Sequence, residues 1–109
     1  MIDWSRVADL RGELGPDDFD EVVVLFLEEA DDMIARLTPD FDRSETERVL
    51  HFLKGSALNL GFQDLAALCQ DGERHAAQGM ADRVDLGAVV RCYAASKAAF
   101  RAGAGQAAA

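Results

Sequence analysis

The chain has 109 residues and a formal net charge of −9, and half of its residues are hydrophobic. This length suits a single domain with a core that buries roughly 65% of the surface of the unfolded chain. The acidic balance argues against nucleic acids and anionic membranes as main partners, because both bind basic surfaces.

Five helical segments are predicted, a short one followed by four longer amphipathic ones. Asp3 is expected to cap the first helix and Gly12 to end it. Asp17 is expected to cap the second helix, which carries apolar residues at helical spacing from Phe19 onward. The Thr38-Pro39-Asp40 stretch then ends this helix, because the residue before a proline avoids the helical region.

The third helix carries the segment HFLKGSALNLG, residues 51–61. Ser44 is expected to cap this helix, with Glu47 three residues later completing a capping box. Gly61 follows the last apolar residue and predicts the end of the helix.

The last two predicted helices complete a bundle. Asp64 is expected to start the fourth helix, and Asp85 to cap the fifth. Since the connections are short, neighbouring helices should run antiparallel. We therefore predict an all-α fold, an up-down-up-down four-helix bundle with an additional short N-terminal helix. Residues 1–103 would form this single domain, and residues 104–109 a flexible tail.

The helical phase places His51 on the polar face of the third helix. At about 100° per residue, an apolar stripe falls on the far side of the helix. The stripe consists of Val49, Leu53, Ser56, Ala57 and Leu60. An exposed imidazole is largely neutral near pH 7 and can act as a nucleophile, so His51 is a candidate for chemistry.

Three neighbours on the same face favour an anion carried by His51. Gly55 costs the helix about 1 kcal/mol relative to alanine, but it clears space one turn from the imidazole. Lys54 can reach an anion placed on the ring. Leu58 is an apolar residue within a polar face and suggests a docking patch. Phosphoryl transfer onto His51 would account for all three.

These residues resemble a known signature. The pattern His51-x-Leu53-Lys54-Gly55-Ser56-Ala57-x-x-Leu60-Gly61 is similar to that of histidine-containing phosphotransfer (HPt) domains, intermediates of bacterial two-component phosphorelays. The resemblance extends over roughly residues 3–100 and includes Phe26-Leu27-Glu28 and Leu65-Ala66-x-Leu68-Cys69.

The resemblance implies a function and its residues. His51 would accept a phosphoryl group from the aspartyl phosphate of a receiver domain and pass it to another receiver's aspartate. Lys54 would steady the phosphoryl oxygens, and Gly55 would give them room. Such domains have no autokinase activity and no cofactor of their own, since Mg²⁺ is bound by the receiver. The chain carries no P-loop or kinase glycine loop.

The expected partners are receiver domains of a hybrid histidine kinase or of a response regulator. Arg48 and Leu58 are predicted to form the docking rim, with Asn59 at its margin. Cys69 and Cys92 form no disulfide framework or zinc pattern, so we interpret them as reduced core residues. Without a signal peptide or an apolar span, we expect a cytoplasmic bacterial protein. Met1 and the short tail favour a free-standing protein over a piece of a larger hybrid kinase, and a monomer is the default expectation.

Two alternatives remain at this stage. The chain could be a docking-only bundle that regulates a kinase or receiver without phosphoryl transfer, although docking alone would not require His51, Lys54 and Gly55 together. A two-metal bundle is disfavoured, because it needs two Glu-x-x-His motifs, whereas Arg48 and Gly72 stand three residues before the two histidines. His75 is interpreted as a surface residue and Trp4 as an anchor for the first helix. The acidic residues 28–32 are interpreted as a solvated face, with Asp32 and Arg36 as an ion pair.

Overall fold

The chain folds into a bundle of five α-helices in the part that the computed structural model describes, the backbone of residues 1–107 and the side chains of residues 1–103. The helices are α1 (Trp4–Leu14), α2 (Pro16–Ala35), α3 (Thr46–Leu60), α4 (Gln63–Ala77) and α5 (Leu86–Ala107), with 3₁₀ turns at Arg43–Glu45 and Ala81–Arg83. The predicted all-α bundle is confirmed. None of the helices described is long and apolar enough to cross a membrane.

Helices α3 and α4 form an antiparallel hairpin around Gly61. Gly61 adopts the left-handed conformation, with φ +75°, that favours glycine, and it ends α3 as predicted. A Cβ at this position would lie 2.7 Å from the backbone oxygen of Asp3. The amide of Asp3 donates to the Gly61 carbonyl at 2.7 Å, so the N-terminus closes over the turn.

Aromatic packing joins the ends of the bundle. Phe62, in the turn between α3 and α4, is fully buried and packs edge-on against Phe100 of α5 at 5.7 Å between ring centroids. Trp4 stacks on the same phenyl ring at 5.8 Å. Trp4 therefore anchors α1 as predicted, and α5 runs back along α4 so that its second half meets the start of α4.

The buried face of α3 matches the apolar stripe of the sequence. Val49, Leu53, Ser56, Ala57 and Leu60 are all buried. Burial of apolar surface stabilises a protein by about 25 cal/mol per Å². This buried face therefore contributes most to holding α3 in the bundle.

Two predicted boundaries near the N-terminus were wrong. Helix α1 continues through Gly12 and ends two residues later, because Gly15 supplies the positive φ of +83° that turns the chain. A glycine with helical torsions weakens a helix but does not end it. Asp17 does not cap α2, since the helix already begins at Pro16, which has no N–H to satisfy.

The predicted capping box of α3 was also wrong. The amide and hydroxyl of Ser44 both donate to Asp42 Oδ1, at 3.0 and 2.7 Å, and α3 begins two residues later at Thr46. Asp42 thus caps a 3₁₀ turn ahead of the helix. The buried Thr46 hydroxyl donates to the Arg43 carbonyl at 2.8 Å, which joins the turn to the helix.

The boundaries of the later helices agree with the sequence. Asp85 caps α5, because its Oδ1 accepts the amide of Ala88 at 3.0 Å. Asp64 is the second residue of α4. The backbone of α5 is helical to Ala107. The predicted flexible tail, residues 104–109, lies outside the residues whose side chains the structure describes.

Asp31 ties α2 to α5. Its carboxylate accepts the Tyr93 hydroxyl and, through both oxygens at 2.9 Å, the Lys97 ammonium. Desolvation raises the pKa of Asp31, but the hydrogen bonds from Tyr93 and Lys97 and the Lys97 charge outweigh it, so the pKa lies below its usual value. The expected Asp32–Arg36 ion pair is not among those formed in the described part of the chain.

We expect Asp31→Asn to lower the free energy of unfolding at pH 7 by about 1 kcal/mol, because the substitution removes the negative charge that pairs with Lys97. The loss is modest because the pair is partly exposed to solvent. Because the pKa of Asp31 is lower in the folded state than in the unfolded state, its stabilisation is fully present at pH values above the unfolded-state pKa. It is lost as the pH falls through the folded-state pKa, so the variant and the wild type should converge in stability as the pH is lowered. Urea unfolding between pH 7 and pH 3 measures this, with Asp32→Asn as the control. Equal losses in both variants would contradict the role of Asp31.

Candidate functional site

His51 projects from the middle of α3 into solvent. Its side chain is 73% exposed, as the helical phase predicted. Its Nδ1 lies 3.2 Å from Oε2 of Glu73, which projects from the facing position on α4 and is 16% exposed. The imidazole is therefore open on its outer side and held on its inner side by a carboxylate.

This contact determines which ring nitrogen is free. A carboxylate oxygen accepts hydrogen bonds, so Nδ1 of His51 must carry the proton that points at Glu73. In the neutral ring, Nε2 then carries the lone pair. Among the described residues, no hydrogen-bond partner occupies Nε2, which leaves it available as a nucleophile.

Lys54 is placed beside the same carboxylate. Its Nζ lies 3.0 Å from Glu73 Oε1 and donates to Gln70 Oε1 at 3.3 Å. Glu73 Oε1 is buried and accepts no hydrogen bond of good geometry from the residues that the structure describes, so its contact with the ammonium is an ion pair only. One carboxylate thus contacts both the imidazole and the cation next to it.

Gly55 leaves open space on the face that carries His51. A Cβ built on Gly55 would meet no atom within 4 Å outside its own helix backbone. At Gly72 of α4, by contrast, a Cβ would lie 2.5 Å from Leu50 Cδ1 and 3.2 Å from Val84 Cγ1. Packing therefore explains the glycine in α4 but not the one in α3, where the clearance faces solvent.

The predicted docking residues differ in their environments. Leu58 is 57% exposed, and Arg48 is exposed but paired with Glu45 at 2.9 Å. Asn59 is half-buried: its amide donates to the Gly55 carbonyl at 3.0 Å, and its oxygen accepts from Arg6 at 3.1 Å. Asn59 thus links α1 to the turn of α3 that contains Gly55.

An open cleft of about 370 Å³ lies beside the imidazole. Its lining consists of Ser44, Glu47, Arg48, His51 and Glu73. Leu58 lies about two turns further along α3, so an incoming partner would find a charged cleft before His51 and an apolar residue beyond it.

The other reactive side chains are placed less favourably. Cys69 is fully buried, and burial, together with the charges of Cys92 and Glu73, raises the pKa of its thiol to about 12. It stays protonated, in keeping with its interpretation as a core residue. His75 is 40% exposed, and its Nδ1 donates to the Asp71 carbonyl of its own helix at 2.8 Å. In the described part of the chain, no three His, Cys, Asp or Glu side chains are grouped so that they could bind a metal ion.

The sequence analysis missed Glu73 and Gln70. Both lie on α4 and reach the site only because the hairpin pairs position 51 with 73 and position 54 with 70. In an antiparallel pair of helices, the residue numbers of two facing positions add up to a nearly constant value. The position of the Gly61 turn could therefore have predicted that residues 73 and 70 face residues 51 and 54. Nothing in their local sequence distinguishes them from other polar residues on an exposed face.

One comparison with known proteins gives a match. The family model described as "Hpt domain" matches residues 21–101, which include α3, α4 and all but the first turn of α2. Residues 1–20, with α1, lie outside that match. No curated protein and no solved structure matches the chain.

Proposed function

Because the chain belongs to the family of Hpt domains, phosphocarriers of two-component phosphorelays, we propose that His51 is the residue that carries the phosphoryl group. It would accept this group from a receiver domain's aspartyl phosphate and pass it to the aspartate of another receiver. The observation that supports this most directly is the exposed imidazole whose Nδ1 is engaged by Glu73 and whose Nε2 is free.

The proposed transfer needs no proton movement at the reacting nitrogen. Nε2 of His51 attacks phosphorus, an N–P bond forms, and the P–O bond to the receiver's aspartate breaks. The aspartate leaves as a carboxylate with the bonding electron pair. The ring keeps its Nδ1 proton and becomes a phosphoimidazolium, and reversal of the same step onto a second receiver restores the neutral ring.

Lys54 and Gly55 would serve the phosphoryl group in different ways. In phosphoryl transfer a protein mainly positions the groups and offsets charge. Lys54, now paired with Glu73 at 3.0 Å, would turn toward the phosphoryl oxygens, which carry more negative charge. Gly55 leaves space one turn beyond the imidazole for those oxygens and for the receiver's backbone.

We infer that receivers dock on the outer face of α3 around His51. Arg48 and Leu58 would contact the receiver directly, while Asn59 would act mainly by holding α1 against α3. Mg²⁺ would be supplied by the receiver, so the chain itself would need no cofactor and no nucleotide. The proposed setting is the bacterial cytoplasm.

We expect His51 to become labelled when the protein is incubated with a ³²P-phosphorylated receiver. The label should be acid-labile and base-stable, as a phosphoramidate is. His51→Gln should reduce labelling to background, whereas the control His75→Gln should label like the wild type. If His51→Gln still accepts phosphate, the assignment of His51 as the phosphorylated residue is wrong. If no receiver of a broad panel labels the wild type, the docking-only interpretation replaces this one.

We expect Gly55→Ala to keep or raise stability, by up to about 1 kcal/mol, because alanine is the better helix former and its Cβ finds open space. The same variant should slow phosphoryl transfer by about tenfold, because the methyl group displaces the reacting groups. Gly72→Ala is the matched control and should lose about 1–3 kcal/mol by overpacking against Leu50. Thermal unfolding and rapid-quench transfer measure the two effects, and unchanged transfer in Gly55→Ala would show that the clearance is not needed.

We expect Lys54→Ala to slow transfer by roughly 10- to 100-fold, because it removes a charge that offsets the phosphoryl oxygens. The lifetime of the phosphohistidine should also shorten, and the circular dichroism spectrum should stay unchanged. Lys97→Ala removes an equal charge remote from His51 and is the control for net charge. No change in either rate or lifetime would remove the proposed role of Lys54.

A further inference from the structure

Gly55 weakens the helix that carries His51 at the turn next to the imidazole. A glycine inside a helix loses more conformational freedom on folding than any other residue, so its turn opens more readily than a turn of alanine. In an α-helix the amide of residue 55 bonds to the carbonyl of His51, and the carbonyl of residue 55 accepts the amide of residue 59. Opening of this turn therefore displaces the backbone that holds the imidazole.

A relay of side chains reaches the same turn from α1. The Asn59 side chain donates from Nδ2 to the Gly55 carbonyl at 3.0 Å, and its Oδ1 accepts from Arg6 Nη2 at 3.1 Å. A guanidinium can only donate and a carbonyl can only accept, so the partners of Asn59 fix the orientation of its amide. The Gly55 carbonyl thus has a second hydrogen bond, which is held in place by a residue of another helix.

The start of α1 is itself fixed, so Arg6 projects from a rigid origin. The amide of Asp3 donates to the Gly61 carbonyl at 2.7 Å, and Asp3 Oδ1 accepts the amide of Arg6 at 3.1 Å. One residue after Asp3, Trp4 stacks on Phe100 of α5 at 5.8 Å between ring centroids. The first turn of α1 is therefore tied both to the α3–α4 turn and to α5, and Arg6 can restrain Asn59 rather than follow its motion.

We propose that Arg6 and Asn59 are positioning residues: they restrain the glycine turn of α3, so that His51 keeps the orientation that phosphoryl transfer needs. This inference rests on the proposed function of His51. The relay approaches Gly55 through its carbonyl, while the space that a Cβ would occupy stays open. An alanine at position 55 would also stiffen the turn, but it would fill that space. The relay supplies the order that a glycine lacks and leaves the clearance free.

The relay makes α1 part of the functional site. The family match covers residues 21–101, so Asn59 lies inside it and Arg6 lies outside it. By this proposal α1 does more than cover the bundle, because it acts on the turn beside His51 through two hydrogen bonds.

The first test uses the unphosphorylated protein and needs no receiver. Native-state hydrogen exchange, corrected for intrinsic rates, reports how often the amides of residues 55–59 open. We expect Arg6→Ala and Asn59→Val to open this turn roughly three- to tenfold more often than the wild type, which corresponds to the loss of one net hydrogen bond. Valine has a helix propensity similar to that of asparagine but no donor or acceptor in its side chain.

Two further variants make this test specific. Arg6→Lys keeps a cationic donor and should exchange like the wild type. Arg11→Ala removes the same charge from the same helix, but its guanidinium lies over the Phe19 ring at 5.9 Å, so the turn should be unaffected. Wild-type exchange in Arg6→Ala, or equal increases in Arg6→Ala and Arg11→Ala, would overturn the restraint.

The second test separates orientation from docking. Single-turnover transfer from a ³²P-labelled receiver is followed at several receiver concentrations. Arg6→Ala and Asn59→Val should lower the maximal rate roughly three- to tenfold and leave the half-saturating receiver concentration unchanged. Arg11→Ala and Asp31→Asn should transfer at the wild-type rate, and Asp31→Asn shows that a loss of stability elsewhere in the bundle does not slow transfer.

The outcomes of the second test are distinct. An unchanged maximal rate in Arg6→Ala, or a change confined to the half-saturating concentration, would overturn the positioning role. If no receiver labels the wild type, the proposed function of His51 fails and the positioning role falls with it. The exchange data would still establish or refute the restraint of the Gly55 turn by α1.

Discussion

The turn at Gly61 sets the positions of all the side chains around His51. Its left-handed backbone lets α3 reverse directly into α4, and the carbonyl of Asp3 lies so close that only glycine fits. A short turn leaves no freedom in the register of the two helices. His51 therefore faces Glu73, and Lys54 faces Gln70, at fixed distances. A site built from two helices needs this register more than it needs any single contact.

The bundle then serves as a rigid support for one exposed side chain. The buried face of α3 holds the helix through side chains that are almost completely removed from water, while His51 on the other face is 73% exposed. Groups held by packing are already in place when a partner arrives, so little entropy is lost at the moment of reaction. A rigid support of this kind suits the proposed transfer, in which the receiver would supply the metal ion.

The charges near His51 differ from those of the chain as a whole. The protein carries a net charge of −9, and a phosphoryl group adds further negative charge. Lys54 and Arg48 lie on the same face as the imidazole, and both are paired with glutamates in the free protein. Both cations lie close enough to the imidazole to offset the charge of a phosphoryl group in the proposed transfer.

The helices, the face of α3 that carries His51, and the end of α3 at Gly61 could all be predicted from the sequence, because periodicity and a left-handed glycine are local properties. It also indicated the clearance at Gly55, since no local reason for that glycine existed. The boundaries at Gly12, Asp17 and Ser44 were wrong where a neighbour supplied a better turn or cap. The partner of the imidazole, by contrast, follows from the way α3 and α4 pack together. Glu73 lies 22 residues away in the chain, and its role follows from the packing of two helices. Such a contact leaves no local pattern, because any polar residue on that face would suit an isolated helix.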